Sequence, residues 1–273
     1  MPRFRTAALT AAALLAAAAV PGAIPVAVAV AAAAPATVTQ EPGHPAVMFP
    51  GRQVTVAAYC PEGMTPSGGG ATVESDPESA VFLKDTFPDG QRWVVRAVNY
   101  SDEVQTLHPR VICTTDSVTT QVSPDVPLRP GESRSAPAYC DDNTFVVGGG
   151  GQGGDVTFLS GTLVYTVHGW QAKAKYTNGD PAAPPSFLRT KALCSRTQPT
   201  YGFSDTVRLD AGKVGTAHVE CPPGLVPSGG GGSGGTDVLF NASAPTASGW
   251  TVRATNTGSA QGTLYASVVC TAP

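Results

Sequence analysis

The chain has 273 residues, of which 14% are charged and 42% hydrophobic, and its formal net charge is −3. This mild acidity argues against a general nucleic-acid-binding protein, which would carry a basic stripe. Gly (31 residues) and Pro (25 residues) are abundant, and no long segment after the N-terminal region keeps an apolar 3.6-residue period, so the composition predicts short strands joined by many turns.

The first 36 residues have the layout of a secretory signal peptide. Two arginines form a basic start, and an Ala/Leu/Val-rich stretch without any acidic residue follows. Small residues permit cleavage after Ala36 or, alternatively, after Ala31. A retained membrane anchor is the competing interpretation, but two prolines and a glycine within residues 21–25 would disturb a spanning helix. We therefore predict a secreted, extracellular protein with no membrane span after cleavage.

Three copies of one unit follow, at residues 45–115, 125–197 and 206–273. Residues 37–44 are predicted to form a polar N-terminal arm, and the Thr/Ser/Pro-rich segments 116–124 and 198–205 to be linkers. Each copy contains, in the same order, a turn glycine, a cysteine, a glycine run, a tryptophan and a second cysteine. The turn glycines are Gly51, Gly131 and Gly212, and the glycine runs begin at Gly68, Gly148 and Gly229.

Six cysteines in an exported chain indicate three disulfides, for which fifteen pairings exist. One pair per copy selects a single pairing: Cys60–Cys113, Cys140–Cys194 and Cys221–Cys270. A bridge across a loop of this length contributes about 4 kcal/mol in the chain-entropy model, which rivals the whole stability of a small domain. We therefore expect the bridges to be required for folding.

The tryptophan of each copy opens a strand with alternating apolar residues. Alternation places these tryptophans in the core, on the same side as the cysteines. The core tryptophans are Trp93, Trp170 and Trp250. The opposite face of the same strands carries one cation per copy, predicted to point outward as a possible surface contact. These cations are Arg96, Lys173 and Arg253.

The pattern predicts an all-β protein made of three tandem small β-sandwich-like repeats, each with one intra-repeat disulfide. The immunoglobulin sandwich also combines a cysteine pair with a core tryptophan, but its spacing from the first cysteine is about half as long. Separate beads in a row and one closed threefold prism both fit the repeats. The linkers and the single bridge per copy favour beads.

No motif in the chain predicts catalysis, a metal site or a cofactor site. The glycine runs lack the Gly-Lys-Ser/Thr of a phosphate loop, so they indicate close backbone packing or a flexible loop. The histidines are not spaced with cysteine or carboxylate as metal ligands are, and none of them holds an equivalent position in all three copies. These histidines are His44, His108, His168 and His218. The sequence therefore predicts a non-catalytic protein without cofactor or metal.

Four short motifs together resemble a repeat of secreted proteins from Streptomyces-like actinobacteria. They are Cys-Pro-x-Gly (from Cys60), a Gly-Gly-Gly run, Gly-Trp-Thr-Val-x-Ala-x-Asn (residues 249–256) and a closing Val-x-Cys. The second copy departs from the pattern, with Asp-Asp-Asn after Cys140 and with Tyr176 in place of an asparagine. The resemblance implies export and a disulfide-containing β repeat, and it carries over no catalytic residue.

Two functions fit these predictions. The first is an extracellular protein-interaction, scaffold or adaptor module, in which the repeats present surfaces, exposed sheet edges capture a strand or the polar arm docks on a partner. The second is a lectin-like binder of cell-surface or wall glycans, in which three copies give avidity. A trivalent lectin would repeat its exposed residues, whereas here the repeated residues are mostly core and turn. The sequence therefore favours another extracellular protein as the partner, with a glycan as the alternative.

Overall fold

In the residues that the structure describes, each repeat forms seven β-strands, which follow one another in the same order in all three copies. The computed structural model describes residues 36–74, 80–177 and 179–273, so the predicted signal peptide lies outside the described residues. No helix occurs in these ranges, and consequently none that could cross a membrane. The class is all-β, as the composition predicts.

The strands of the first repeat are β1 (Val38–Pro42), β2 (Ala46–Met48), β3 (Gln53–Tyr59), β4 (Thr65–Glu74), β5 (Val81–Asp89), β6 (Arg92–Asn99) and β7 (Gln105–Thr114). Those of the second are β8 (Thr119–Val122), β9 (Val126–Leu128), β10 (Ser133–Tyr139), β11 (Phe145–Gly153), β12 (Thr157–Thr166), β13 (Gly169–Tyr176) and β14 (Ser186–Ser195). Those of the third are β15 (Thr200–Phe203), β16 (Val207–Leu209), β17 (Val214–Glu220), β18 (Val226–Gly234), β19 (Val238–Pro245), β20 (Gly249–Asn256) and β21 (Gly262–Thr271).

The segments predicted as an arm and as linkers contain strands. β1 lies in the arm and pairs with β7, while β8 and β15 lie in the linker segments and pair with β14 and β21. Polar composition suggested linkers, but a short edge strand needs only one apolar face and therefore tolerates Thr and Ser. The arm is thus part of a sheet of the protein itself.

Each repeat has two layers, which are joined by its disulfide. The first, second, fourth and seventh strands form one layer, and the third, fifth and sixth strands form the other. The disulfides are Cys60–Cys113, Cys140–Cys194 and Cys221–Cys270, the pairing that the repeats predict. Their Cα–Cα distances of 5.6 to 5.8 Å lie in the ordinary range.

The two layers of a repeat belong to two different sheets. Sheet I has the order β1-β7-β4-β19-β20-β17, sheet II the order β3-β6-β5-β11-β14-β8, and sheet III the order β10-β13-β12-β18-β21-β15. Each sheet therefore continues from one repeat into another. Sheet I joins the first and third repeats, sheet II the first and second, and sheet III the second and third, so the three repeats form a closed ring. The expectation of separate beads is wrong, because each repeat completes its sheets by hydrogen bonding to the other two.

The three glycine runs meet where the repeats come together, on an approximate threefold axis. A Cβ atom on Gly68 would lie 2.6 Å from the Cα of Gly229, and one on Gly229 would lie 2.9 Å from the Cα of Gly148. A Cβ on Gly148 would overlap the carbonyl oxygen of Ser67. Glycine is therefore required at all three positions, because the backbones of the three repeats touch there. This is the close backbone packing that the sequence suggested.

The next glycine of each run lies against the tryptophan of its own repeat. A Cβ on Gly69 would approach the Trp93 ring to 2.5 Å, and Gly149 and Gly230 face Trp170 and Trp250 in the same way. The tryptophans are at most 1% exposed. Their indole N–H groups donate hydrogen bonds of 2.7, 2.7 and 3.0 Å to the hydroxyls of Thr86, Thr162 and Ser243.

Candidate functional site

The axis has a second end, at which side chains rather than backbones converge. The contributing residues are Phe82 on β5, Phe158 on β12 and Leu239 on β19, which hold equivalent places near the start of the fifth strand of each repeat. Phe158 and Leu239 are 4% and 3% exposed, and they form with Val98 a hydrophobic cluster against which Phe82 packs. All three repeats therefore contribute to this cluster, so it exists only in the closed arrangement.

Tyr100, which follows β6, extends the cluster to the surface. Its ring centroid lies 6.3 Å from that of Phe82 and 6.1 Å from that of Phe158, while Phe82 and Phe158 are 6.2 Å apart. These distances fall in the range of favourable aromatic pairs. Tyr100 is nevertheless 59% exposed, so one side of this aromatic triangle is open to solvent.

The open side of the triangle borders a groove of about 360 Å³, the axial groove. Its remaining lining residues are Lys175, Thr177 and Thr257. Lys175 forms an ion pair with Asp237, and the Thr257 hydroxyl donates to the Asp237 carbonyl at 2.9 Å. The polar groups of the rim are thus largely bonded to one another, while the floor consists of phenylalanine, tyrosine and leucine side chains. Such a groove accepts an apolar or aromatic group.

The predicted surface cations lie at the boundaries between repeats. Arg96 is 20% exposed and binds Asp85 of its own repeat together with the Asp155 carboxylate and the Gly153 carbonyl of the second repeat. Lys173 donates to the Ser233 hydroxyl of the third repeat at 2.9 Å. Arg253 is partly buried at the corresponding position. Arg96 is therefore a link between repeats rather than a free surface contact, because the neighbouring repeat covers the face that one repeat alone would expose.

The histidines lie apart from the axial groove. His168 stacks on Phe145 with 5.3 Å between ring centroids, and its Nδ1 lies 2.6 Å from the Thr144 carbonyl oxygen. His168 lies in the turn before Trp170. Within the described ranges no group of three His, Cys, Asp or Glu residues is placed to hold a metal ion.

Sequence reasoning missed the residues of the axial groove, although a signal was present. Phe82, Phe158 and Leu239 stand at nearly the same distance before the tryptophan of their repeats. Aligning the three copies would have shown three large apolar residues at one position. Their convergence still required the closed arrangement, because an isolated repeat contributes only one of them.

Comparison of the chain with models of known protein families and with curated protein sequences gave no match.

Proposed function

We propose that the protein is a secreted, non-catalytic interaction module that captures a second extracellular protein in the axial groove. The observation that carries this proposal is the aromatic triangle of Phe82, Tyr100 and Phe158, which is open on one side and assembled from two repeats. Aromatic residues in a concave, partly desolvated setting are typical anchors of protein interfaces. Three disulfides support an oxidising, extracellular environment, in which export by the N-terminal segment fits.

The lining of the groove favours a protein side chain over a sugar. A sugar ring needs several hydrogen-bond partners, yet the cation Lys175 and the hydroxyl of Thr257 are already engaged with Asp237. The apolar floor instead suits an aromatic or aliphatic side chain of a partner. Since each repeat supplies different residues, the described residues form one groove at this end of the axis rather than three equivalent ones. A single groove fits one partner segment and gives no avidity.

Glycan binding remains the second candidate because of one feature. The ring of Tyr100 is 59% exposed, and an exposed aromatic face at the edge of a groove is available for stacking on a sugar. The two candidates differ in the competitor that releases the bound partner. A simple sugar would release a glycan and leave an apolar side chain in place.

An affinity-column experiment with immobilised, oxidised protein from residue 37 onward tests the proposal. Culture supernatant and cell-wall extract of the producing organism are passed over the wild-type protein and over a Tyr100→Ser variant, with Phe203→Ser as the matched control. Phe203 is 55% exposed and lies on β15, so its replacement removes a comparable aromatic surface outside the axial groove.

We expect a stoichiometric protein that is retained by the wild-type and Phe203→Ser columns and lost from the Tyr100→Ser column. Retention that is the same on all three columns would exclude the axial groove as the site. Retention of wall polysaccharide, with release by a simple sugar, would replace the protein-interaction proposal by the lectin-like one.

A further inference from the structure

Two of the boundaries between repeats have the same backbone pairing but differ in the side chains that lie between the strands. In sheet II, β5 of the first repeat pairs with β11 of the second, with Thr86 opposite Gly151. In sheet III, β12 of the second repeat pairs with β18 of the third, with Thr162 opposite Gly232. Both β5 and β12 carry a β-bulge just before this pairing. The two boundaries can therefore be compared residue by residue.

The first boundary is filled by a buried ionic cluster. Lys84 and Asp85, at the bulge of β5, are only 4% and 2% exposed. The Asp85 carboxylate accepts hydrogen bonds from Arg96 and from the backbone amide of Gly153. Lys84 donates to the Gln53 side chain and to the Asp155 carbonyl. At this boundary the carboxylate of Asp85 thus binds Arg96, the cation of β6.

The second boundary lacks both of these filling side chains. Ser160 stands where the first boundary has Lys84, Gly161 where it has Asp85, and Lys173 where it has Arg96. The space that remains is a groove of about 310 Å³, the junction groove, between the second and third repeats. Gly234, the counterpart of Gly153, also lines it. The second boundary therefore keeps a cation, Lys173, and the same backbone pairing, but it has no carboxylate at the position of Asp85.

The polar groups of the junction groove are incompletely satisfied. None of the described residues that line it is acidic. Lys173 donates to the Ser233 hydroxyl, and burial, with no carboxylate to oppose it, lowers the pKa of its ammonium group. The hydroxyl of Ser133, which lines the same groove, is buried without a hydrogen-bond partner. Buried hydroxyls usually have partners, so the hydrogen bonds around this groove are incomplete.

We propose that the junction groove binds a small carboxylate ligand with a polar body, such as a sugar acid or the free carboxyl terminus of a short peptide. The ligand carboxylate takes the place that Asp85 occupies at the first boundary. It accepts from the Lys173 ammonium group, and Ser160 and Thr236 face the remainder of the ligand. The site is independent of the axial groove, so either can fail without the other.

Isothermal titration calorimetry of the oxidised protein with four probes tests this site. The probes are D-glucuronate, N-acetylalanine as a model of a peptide terminus, neutral D-glucose and inorganic phosphate, each titrated up to millimolar concentrations. We expect heat of binding with glucuronate or N-acetylalanine, and whichever binds identifies the source of the carboxylate. Equal binding of glucose, binding of phosphate alone, or binding of none of the four would overturn the proposal.

Two variants and a control assign the binding to the groove. Lys173→Met keeps the length of the side chain and removes its charge, and we expect affinity to fall at least tenfold. Gly161→Asp supplies a tethered carboxylate beside Lys173 and should abolish binding while the melting temperature is retained. A Cβ at Gly161 would meet the Lys173 side chain at 3.2 Å, which that flexible chain can accommodate.

Lys213→Met is the matched control, since it removes one exposed positive charge outside the groove. Its affinity should equal that of the wild type. Unchanged affinity in Lys173→Met, or an equal loss in Lys213→Met, would show that the carboxylate binds elsewhere or only through the overall charge.

Discussion

The two ends of the threefold axis are closed by opposite means. At the glycine end, Gly68, Gly148 and Gly229 bring three backbones into contact. The disulfides lie near this end, since the second cysteine of each repeat is paired with the residue two positions before the axial glycine. At the aromatic end, side chains of different kinds, from Phe82, Phe158 and Leu239, fill the space.

The repeats agree at the glycine end and diverge at the aromatic end. The aromatic end of two repeats is held by an asparagine: Asn99 donates to the carbonyls of Met48 and Glu103, and Asn256 to those of Leu209 and Ala260. In the second repeat Tyr176 stands there instead, and its hydroxyl donates to Pro184. Contact between backbones does not tolerate substitution of the glycines, whereas packed side chains can be exchanged for others of similar volume. The aromatic end is therefore where a binding surface can evolve.

The largest expected effect is at the glycine end. Gly148→Val places a branched side chain against the backbone of Ser67, and no rotamer can avoid that clash. Overpacking a core usually costs about 1–3 kcal/mol, but here the backbones of all three repeats would have to move, so we expect no cooperatively folded protein. Circular dichroism and size-exclusion chromatography of the oxidised protein check this.

Two control variants test whether the effect of Gly148→Val is specific to the glycine end. Gly179→Val has no atom within 4 Å of its added Cβ and should fold normally. Tyr100→Trp enlarges an exposed ring at the aromatic end and should change the free energy of unfolding by less than about 0.5 kcal/mol. A folded Gly148→Val protein, or an unfolded Tyr100→Trp protein, would contradict the contrast between the ends.

The next effect is that of a single disulfide. Replacing Cys60 and Cys113 together by alanine releases a loop of 53 residues, and we expect a loss of about 4 kcal/mol in the free energy of unfolding. Because Cys221–Cys270 closes a loop of 49 residues, its removal should cost nearly the same. Urea denaturation at equilibrium measures both. Losses below about 1 kcal/mol would contradict the chain-entropy estimate for these bridges.

The smallest of the three effects is at the aromatic end. Asn256→Ala leaves the buried carbonyl of Leu209 and the more exposed carbonyl of Ala260 without their 2.8 Å donors, which we expect to cost about 2–3 kcal/mol. Gln261→Ala is the control, because that side chain is exposed and its bond to Asp210 is open to water. Thermal denaturation compares the two. Equal melting temperatures would show that the loop after β20 finds other donors.

Much of the fold could be predicted from the repeated residues. The cysteine pairing, the burial of Trp93, Trp170 and Trp250 and the strand that each tryptophan opens all follow from fixed spacing and alternation. Polar composition predicts an arm and two linkers where the short edge strands β1, β8 and β15 form. The role of Arg96 was also missed, because its partners Gly153 and Asp155 belong to another repeat.

The sequence by itself determined the all-β class, the threefold repeat and the contents of each core. Alternation reports which face of a strand is buried, and the repeats report which residues are structurally equivalent. Only the tertiary structure decided which strand lies beside which across repeats, as when β4 pairs with β19. Backbone hydrogen bonds carry no side-chain signature, so the pairing that closes the ring, and with it both grooves, left no pattern in the sequence.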